Sequence, residues 1–352
     1  MGNVMGMLDA AGSRIGGCVV AALVLAGVLA DAARAGEQAR PEGAEPLPVE
    51  RTTTVRGRGT VWYIDGPTVI PPSAEIRIEL GTRIVGINNA SLDVQGGLKI
   101  HGTEESWVVV ENIDFSPTLA PKQDLHLDMV DFRGCKFTWT KEQPFTGLLT
   151  LENACVQRSC TWDMHIASGF VKIMTVEFVC PCQITCVPAD RKPVEVDIRT
   201  SWMKVTTLKG PGQHILRHCE FKGDVTAEHV DQFEIDGCDI FGNLIVRQPA
   251  EGSFKDVTLT KCSVFEPSKV VLERPPGEKP SKDRVKLDKF YWGPINSGVK
   301  RGHTEKELVD RIVDGDDAEE GQGTVFAVIG KSVKRPHGLL SETLRSRAPP
   351  VN

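Results

Sequence analysis

The chain has 352 residues, of which 40% are hydrophobic and 25% charged, enough apolar side chain to fill a large core. Lys and Arg number 41 against 47 Asp and Glu, a net charge of −6. That balance argues against a general phosphate-binding surface, so nucleic acid is not an expected partner.

In chain order, Arg14 precedes an apolar run from Ile15 to Ala30, and Ala33-Arg34-Ala35 places small residues around a cleavage point before Gly36. The run is shorter than the roughly 20 residues of a comfortable membrane span. Residues 1–35 are therefore expected to be a signal peptide, and the mature chain to be exported to a periplasmic, cell-surface or extracellular location. Residues 36–59 hold Gly, Glu, Pro and Arg with few large apolar side chains, and a flexible linker is expected there.

From Thr60 the chain runs through Val61-Trp62-Tyr63-Ile64-Asp65-Gly66, Ile70-Pro71-Pro72, Ile76-Arg77-Ile78, Gly81-Thr82, Leu92-Asp93-Val94-Gln95-Gly96-Gly97-Leu98 and His101-Gly102-Thr103. Short alternating runs broken by Gly, Pro and Thr predict strands and tight turns.

A ladder then emerges, written as apolar-x-apolar-x-x-apolar-x-apolar. Its copies are Val108/Val110/Ile113/Phe115, Val130/Phe132/Cys135/Phe137, Leu149/Leu151/Ala154/Val156, Val171/Ile173/Val176/Phe178, Val196/Ile198/Ser201/Met203, Phe233/Ile235/Cys238/Ile240, Val257/Leu259/Cys262/Val264 and Val285/Leu287/Phe290/Trp292. A degenerate copy is Leu216/Cys219/Phe221, with His214 in the first slot. Alternation is strand chemistry, in, out, in. The second residue of each break, Asn112, Gly134, Asn153, Thr175, Thr200, His218, Gly237, Lys261 or Lys289, is the place for a tight corner with positive φ. Two strands and a corner recurring at roughly 22-residue steps make one coil of a parallel β-helix.

The fold class expected is all-β, a right-handed parallel β-helix over residues 60–293. The opening coils and the ladder resemble the right-handed parallel β-helix proteins of the pectin-lyase-like superfamily, over roughly Thr60 to Trp292. Many enzymes that cleave acidic polysaccharides share this fold, so the resemblance directs the search to their catalytic residues and is specific to the fold. Its catalytic motifs do not carry over: Gly-His-Gly and Arg-Ile-Lys are absent, and Trp62-Tyr63-Ile64-Asp65 echoes Trp-Ile-Asp-His with Gly66 in place of the histidine.

Cys135, Cys219, Cys238 and Cys262 fall on inward slots, where unpaired thiols act as small apolar groups. Cys155, Cys160, Cys180, Cys182 and Cys186 cluster in neighbouring coils, and one or two loop disulfides with a leftover thiol would account for them. No His flanks Cys180-x-Cys182-x3-Cys186, so no metal or other cofactor is expected.

Past Trp292 the pattern changes. Thr304 and Glu307 form a capping box ahead of Leu308, Val309, Ile312 and Val313, predicting a helix over Glu305–Asp314 within a cap at 294–330. Thr324 to Ile329 reads as a strand, Asp314 to Glu320 as a solvated acidic loop, and 331–352 as a disordered tail.

Like positions on successive coils lie roughly 4.8 Å apart, so outward columns are where a site would be built. One column reads Glu177, Trp202, Glu220, Asp239; beside it stand Arg199 and Arg217. Trp202 exposed at the surface would stack on a sugar ring while Arg199 and Arg217 met acid groups, which makes Glu177, Arg199, Trp202 and Arg217 the ligand-binding candidates. Glu220 and Asp239, near the roughly 5 Å carboxyl separation of retaining glycosidases, are the catalytic candidates. His165, His214 and His218 read as packing or corner residues. Mixed charges on these columns are also what solubility of a solenoid requires. The expected function is an exported, non-catalytic β-helix offering a rigid face to a polysaccharide or cell-envelope component. The alternatives are a polysaccharide lyase or glycoside hydrolase with a non-standard site, and a structural surface element.

Overall fold

The computed structural model describes residues 38–115, 123–188, 194–248, 256–273, 284–293, 308, 311–313 and 326–329, apart from Arg58. These residues form an all-β parallel solenoid of about nine turns. Each coil contributes to three stacks of strands. One stack runs through Val194–Arg199, Gln213–Arg217 and Gln232–Asp236. A second, of strands only two residues long, runs through Glu177–Phe178, Trp202–Met203, Glu220–Phe221 and Asp239–Ile240. The third includes Cys182–Cys186, Thr206–Lys209 and Val225–Glu228. Coils follow closely: the Gly212 carbonyl accepts the Gln232 N–H at 3.1 Å, so the start of one turn lies on the start of the next.

The alternation in the sequence explains the interior. Val196, Ile198, Met203, Phe221, Phe233, Ile235 and Ile240 are all 0–1% exposed in one continuous core. All nine expected corner residues have positive φ, between 47° for Asn153 and 66° for Gly237. Their side chains stack as well: a Cβ on Gly134 would stand 2.4 Å from Asn112 Oδ1, so glycine at this corner makes room for the asparagine of the coil before. Where the inward residue after the corner is Ser or Cys, it also serves the backbone. Ser201 Oγ donates to the Arg199 carbonyl at 2.8 Å and accepts the Val176 N–H at 3.2 Å, while the Cys219 thiol lies 3.5 Å from the Ile198 carbonyl of the coil before. Small polar or sulfur side chains suit this slot because strand pairing leaves the bend with carbonyls to satisfy.

Four expectations need correcting. The solenoid begins inside the supposed linker 36–59, where Glu45–Pro46 pairs with Trp62 and Tyr63, and Thr53–Val55 pairs with Ile76 to Ile78. Next, the single ladder is two. Val108/Val110/Ile113/Phe115 and Val130/Phe132/Cys135/Phe137 turn the corner from the second stack to the third. From Leu149 on, the copies turn from the first stack to the second. The true predecessor of Leu149/Leu151/Ala154/Val156 is Leu125/Leu127/Val130/Phe132, because Leu149 pairs with Leu125 and Val156 with Phe132. Cys135 therefore stacks below Cys160, its neighbour through Lys136 and Thr161, and not in line with Cys219, Cys238 and Cys262.

The cysteines are the third correction. All nine described thiols are buried and unpaired, so Cys155, Cys160, Cys180, Cys182 and Cys186 form no disulfide. Finally, Ile312–Val313, expected at the end of a helix, is a strand pairing with Val270 and Val271. Residues 305–307, 309, 310 and 314, the acidic run at 314–320, residues 1–37 and the tail 331–352 lie outside the described residues. Phe326–Ile329 is a strand as expected, paired with Arg284 to Leu287.

Candidate functional site

The two-residue strands of the second stack each present one outward side chain. Register places Asp131, Cys155, Glu177, Trp202, Glu220, Asp239, Ser263 and Tyr291 in one row along the solenoid axis. From Glu177 to Asp239 this is the column read from the sequence. Its exposure is not: Trp202 is 8% exposed, Glu220 0% and Asp239 2%, although none of the three belongs to the apolar core. Trp202 is thus outward in register but buried, contrary to the expectation of an exposed platform.

A cleft of about 300 Å³ opens on this row. Phe178, Trp202 and Met203 give it an apolar floor, Glu177 and Glu220 flank the tryptophan, and Arg158, Lys204 and Lys222 bring three cations to it. Their placement follows from the coil: Lys204 and Lys222 each come two residues after Trp202 and Glu220, on the same outward side, one coil apart. Lys222 Nζ pairs with Glu220 Oε1 at 2.6 Å and sits 4.1 Å above the Phe241 ring. Arg158 and Lys204 form no ion pair with the described residues.

The two arginine candidates are instead paired within the solenoid. Arg199 pairs with Asp197 at 2.5 Å and Arg217 with Glu234 at 2.7 Å, both on the first stack beyond the corner. The structure therefore brings Glu177, Trp202 and Glu220 together but leaves Arg199 and Arg217 outside the cleft. Sequence reasoning missed Arg158, Lys204 and Lys222. The alternation that marks Glu220 as outward also marks residue 222, so the two lysines were within reach of the same pattern. Arg158 stands on the turn after Val156 and had no periodic signal.

Asp239 is one coil beyond Glu220 and does not line the cleft. Burial pushes its carboxyl up to about 6; a hydrogen bond with the Ser263 hydroxyl opposes this, Glu220 adds repulsion, and Lys222 offsets part of it. Asp239 Oδ1 is buried and accepts no hydrogen bond from the described residues. Of the histidines, His218 is a corner residue with φ 55°. His214 is inside the core, its ring held down to about 4 by burial, with Nε2 3.3 Å from the Gly210 carbonyl and 3.7 Å from Cys186 Sγ. That neutral ring and the Cys186 thiol, pushed up to about 12 by burial, make a packing pair with no activated nucleophile.

No family model, curated protein or solved structure matches the chain. No group of three or more His, Cys, Asp or Glu able to hold a metal ion occurs among the described residues. What the arrangement offers is an apolar ring face, 8% exposed at Trp202, beside cations that the described carboxylates leave uncommitted. A ring bearing a negative group matches both features.

Proposed function

We propose that this is an exported, non-catalytic β-helix protein of the right-handed, pectin-lyase-like kind, and that its cleft binds an acidic saccharide of a polysaccharide or cell-envelope polymer. The observation that carries the reading is the cleft itself: Trp202 between Glu177 and Glu220, with Arg158 and Lys204 uncommitted among the described residues while Arg199, Arg217 and Arg247 are each held by a carboxylate. An aromatic face supplies dispersion and C–H contact to a sugar, and two cations select an acid group. The stacked coils keep these groups on a rigid backbone, which lowers the ordering cost of binding.

Screening the purified chain against acidic and neutral glycans tests this. Arg158 and Lys204 are exposed, so Arg158→Glu and Lys204→Glu leave the fold intact and should weaken binding by about tenfold or more each. If both variants bind as the parent does, the cleft is not the site. Hydrolysis at Glu220 and Asp239 is a second reading, favoured by their adjacency in register and by the burial that holds the Asp239 carboxyl up to about 6. Against it, Glu220 is tied to Lys222 and Asp239 does not reach the cleft. Turnover of a bound glycan that Glu220→Gln abolishes would reverse that preference.

A further inference from the structure

The cleft and the buried carboxyl pair Glu220 and Asp239 share one residue, Glu220. Its carboxylate lies in the cleft wall and holds Lys222, while Asp239 stands directly behind it, one coil along. Asp239 is 2% exposed, and its Oδ1 accepts no hydrogen bond from the described residues. The groups facing it are Glu220 on the coil before, the Ser263 hydroxyl on the coil after, and the Lys222 ammonium from the cleft rim; Tyr291 continues the row beyond Ser263. Two carboxyl groups roughly 4.8 Å apart by strand spacing, both shielded from water, do not ionise together without cost.

We propose that Asp239 is the proton switch of the cleft: protonated, it leaves the cationic rim free to hold an anionic ligand, and ionised, it places a second negative charge behind Glu220 and releases that ligand. The inference rests on the proposed anion-binding role of the cleft. The step is a simple acid dissociation, the Asp239 carboxyl losing its proton to solvent and keeping the electron pair. Once ionised, Asp239 competes with Glu220 and with the ligand for the charge of Lys222, and the cleft loses one unit of positive potential. Burial sets the changeover near neutrality, since it holds this carboxyl up to about 6. By linkage the effect is reciprocal: an anion bound beside Lys222 makes the Asp239 proton harder to remove, so binding should draw a proton from solution.

The experiment is calorimetric binding of a short oligogalacturonate and of a neutral oligogalactan to the full chain, at about pH 5 and about pH 8, where the uronic acid groups stay ionised. The expected result is a fall in oligogalacturonate affinity of about tenfold between the two, equivalent to one unit of pKa shift on binding. Buffers of different ionisation heat should report proton uptake around the midpoint. Asp239→Asn, which imitates the protonated acid, should bind at the higher pH as the parent does at the lower, with no proton uptake. Ser263→Ala removes a hydrogen bond to the ionised form and should move the midpoint upward, which keeps the test decisive if the asparagine variant folds poorly. Equal affinity at both pH values, or an unchanged pH dependence in both variants, overturns the switch and leaves the binding reading standing. Equal binding of the neutral oligomer removes the anionic preference and the switch with it. Absence of binding of either oligomer at either pH overturns the reading and the inference together.

Discussion

Thr175 and Thr200 hold φ at 56° and 50°, where a β-branched side chain crowds its own backbone. Asn153 occupies the equivalent corner without that branching, so Thr200→Asn should stabilise the protein by about 1 kcal/mol, read as a rise in Tm. His214 makes the opposite kind of residue-level demand. Its folded pKa of about 4 lies below the ordinary 6.5, so its contribution is complete above 6.5 and is lost as pH falls through 4. The loss amounts to about 3 kcal/mol, and His214→Gln, which does not titrate, should flatten this acid limb in melts followed between those values. Trp202→Ala should cost about 3 kcal/mol in spite of the outward register, because the ring is almost fully covered. Trp202→Phe should keep most of the stability while weakening glycan binding; equal losses from both changes in both assays would leave the ring no more than packing. The positive-φ corners were legible in the sequence because every break carries the same offset. The burial of Trp202 was not, since alternation says which way a side chain points and nothing of what closes over it.

At the level of the coil, the inward corner slot explains why Cys219, Cys238 and Cys262 recur where Ser201 also serves. Each is compact enough for the bend, and the thiols of Cys219 and Cys238 approach the carbonyls of Ile198 and Leu216 on the coil before. Thiol labelling should find all nine described cysteines protected in the folded chain and reactive when it is unfolded without reductant. Any disulfide mapped between Cys155, Cys160, Cys180, Cys182 and Cys186 would contradict this arrangement. The ladder was readable as a ladder, but its phase was not, because Leu125/Leu127/Val130/Phe132 and Val130/Phe132/Cys135/Phe137 share two residues. Only pairing distinguishes the overlapping copies. The outward row survived the change of phase because the misplaced copies precede it, which is why Glu177, Trp202, Glu220 and Asp239 were found together while Cys135 was put in the wrong file.

Across the whole solenoid each coil touches only its neighbours, so damage should stay local. Gly169 has φ 112°, and a Cβ there would stand 1.9 Å from the Gly147 carbonyl oxygen. Gly169→Ala should accordingly speed amide exchange in the strands Phe145–Glu152, Thr161–Met174 and Val194–Arg199, while Val257–Thr260 keeps its protection. Uniform loss of protection along the chain would show a single cooperative block instead. The contact between Gly212 and Gln232 has a different consequence. Because those atoms already meet across one turn, residues 213–231 form a removable cassette: a deletion joining Gly212 to Gln232 needs little displacement of either end. Its product would set Trp202 beside Asp239, with Glu220, Lys222 and His214 gone in a single step. The chain can thus be shortened by a whole turn where loss of one residue would shift every side chain after it, so length variation by complete turns is the form of change this architecture tolerates best.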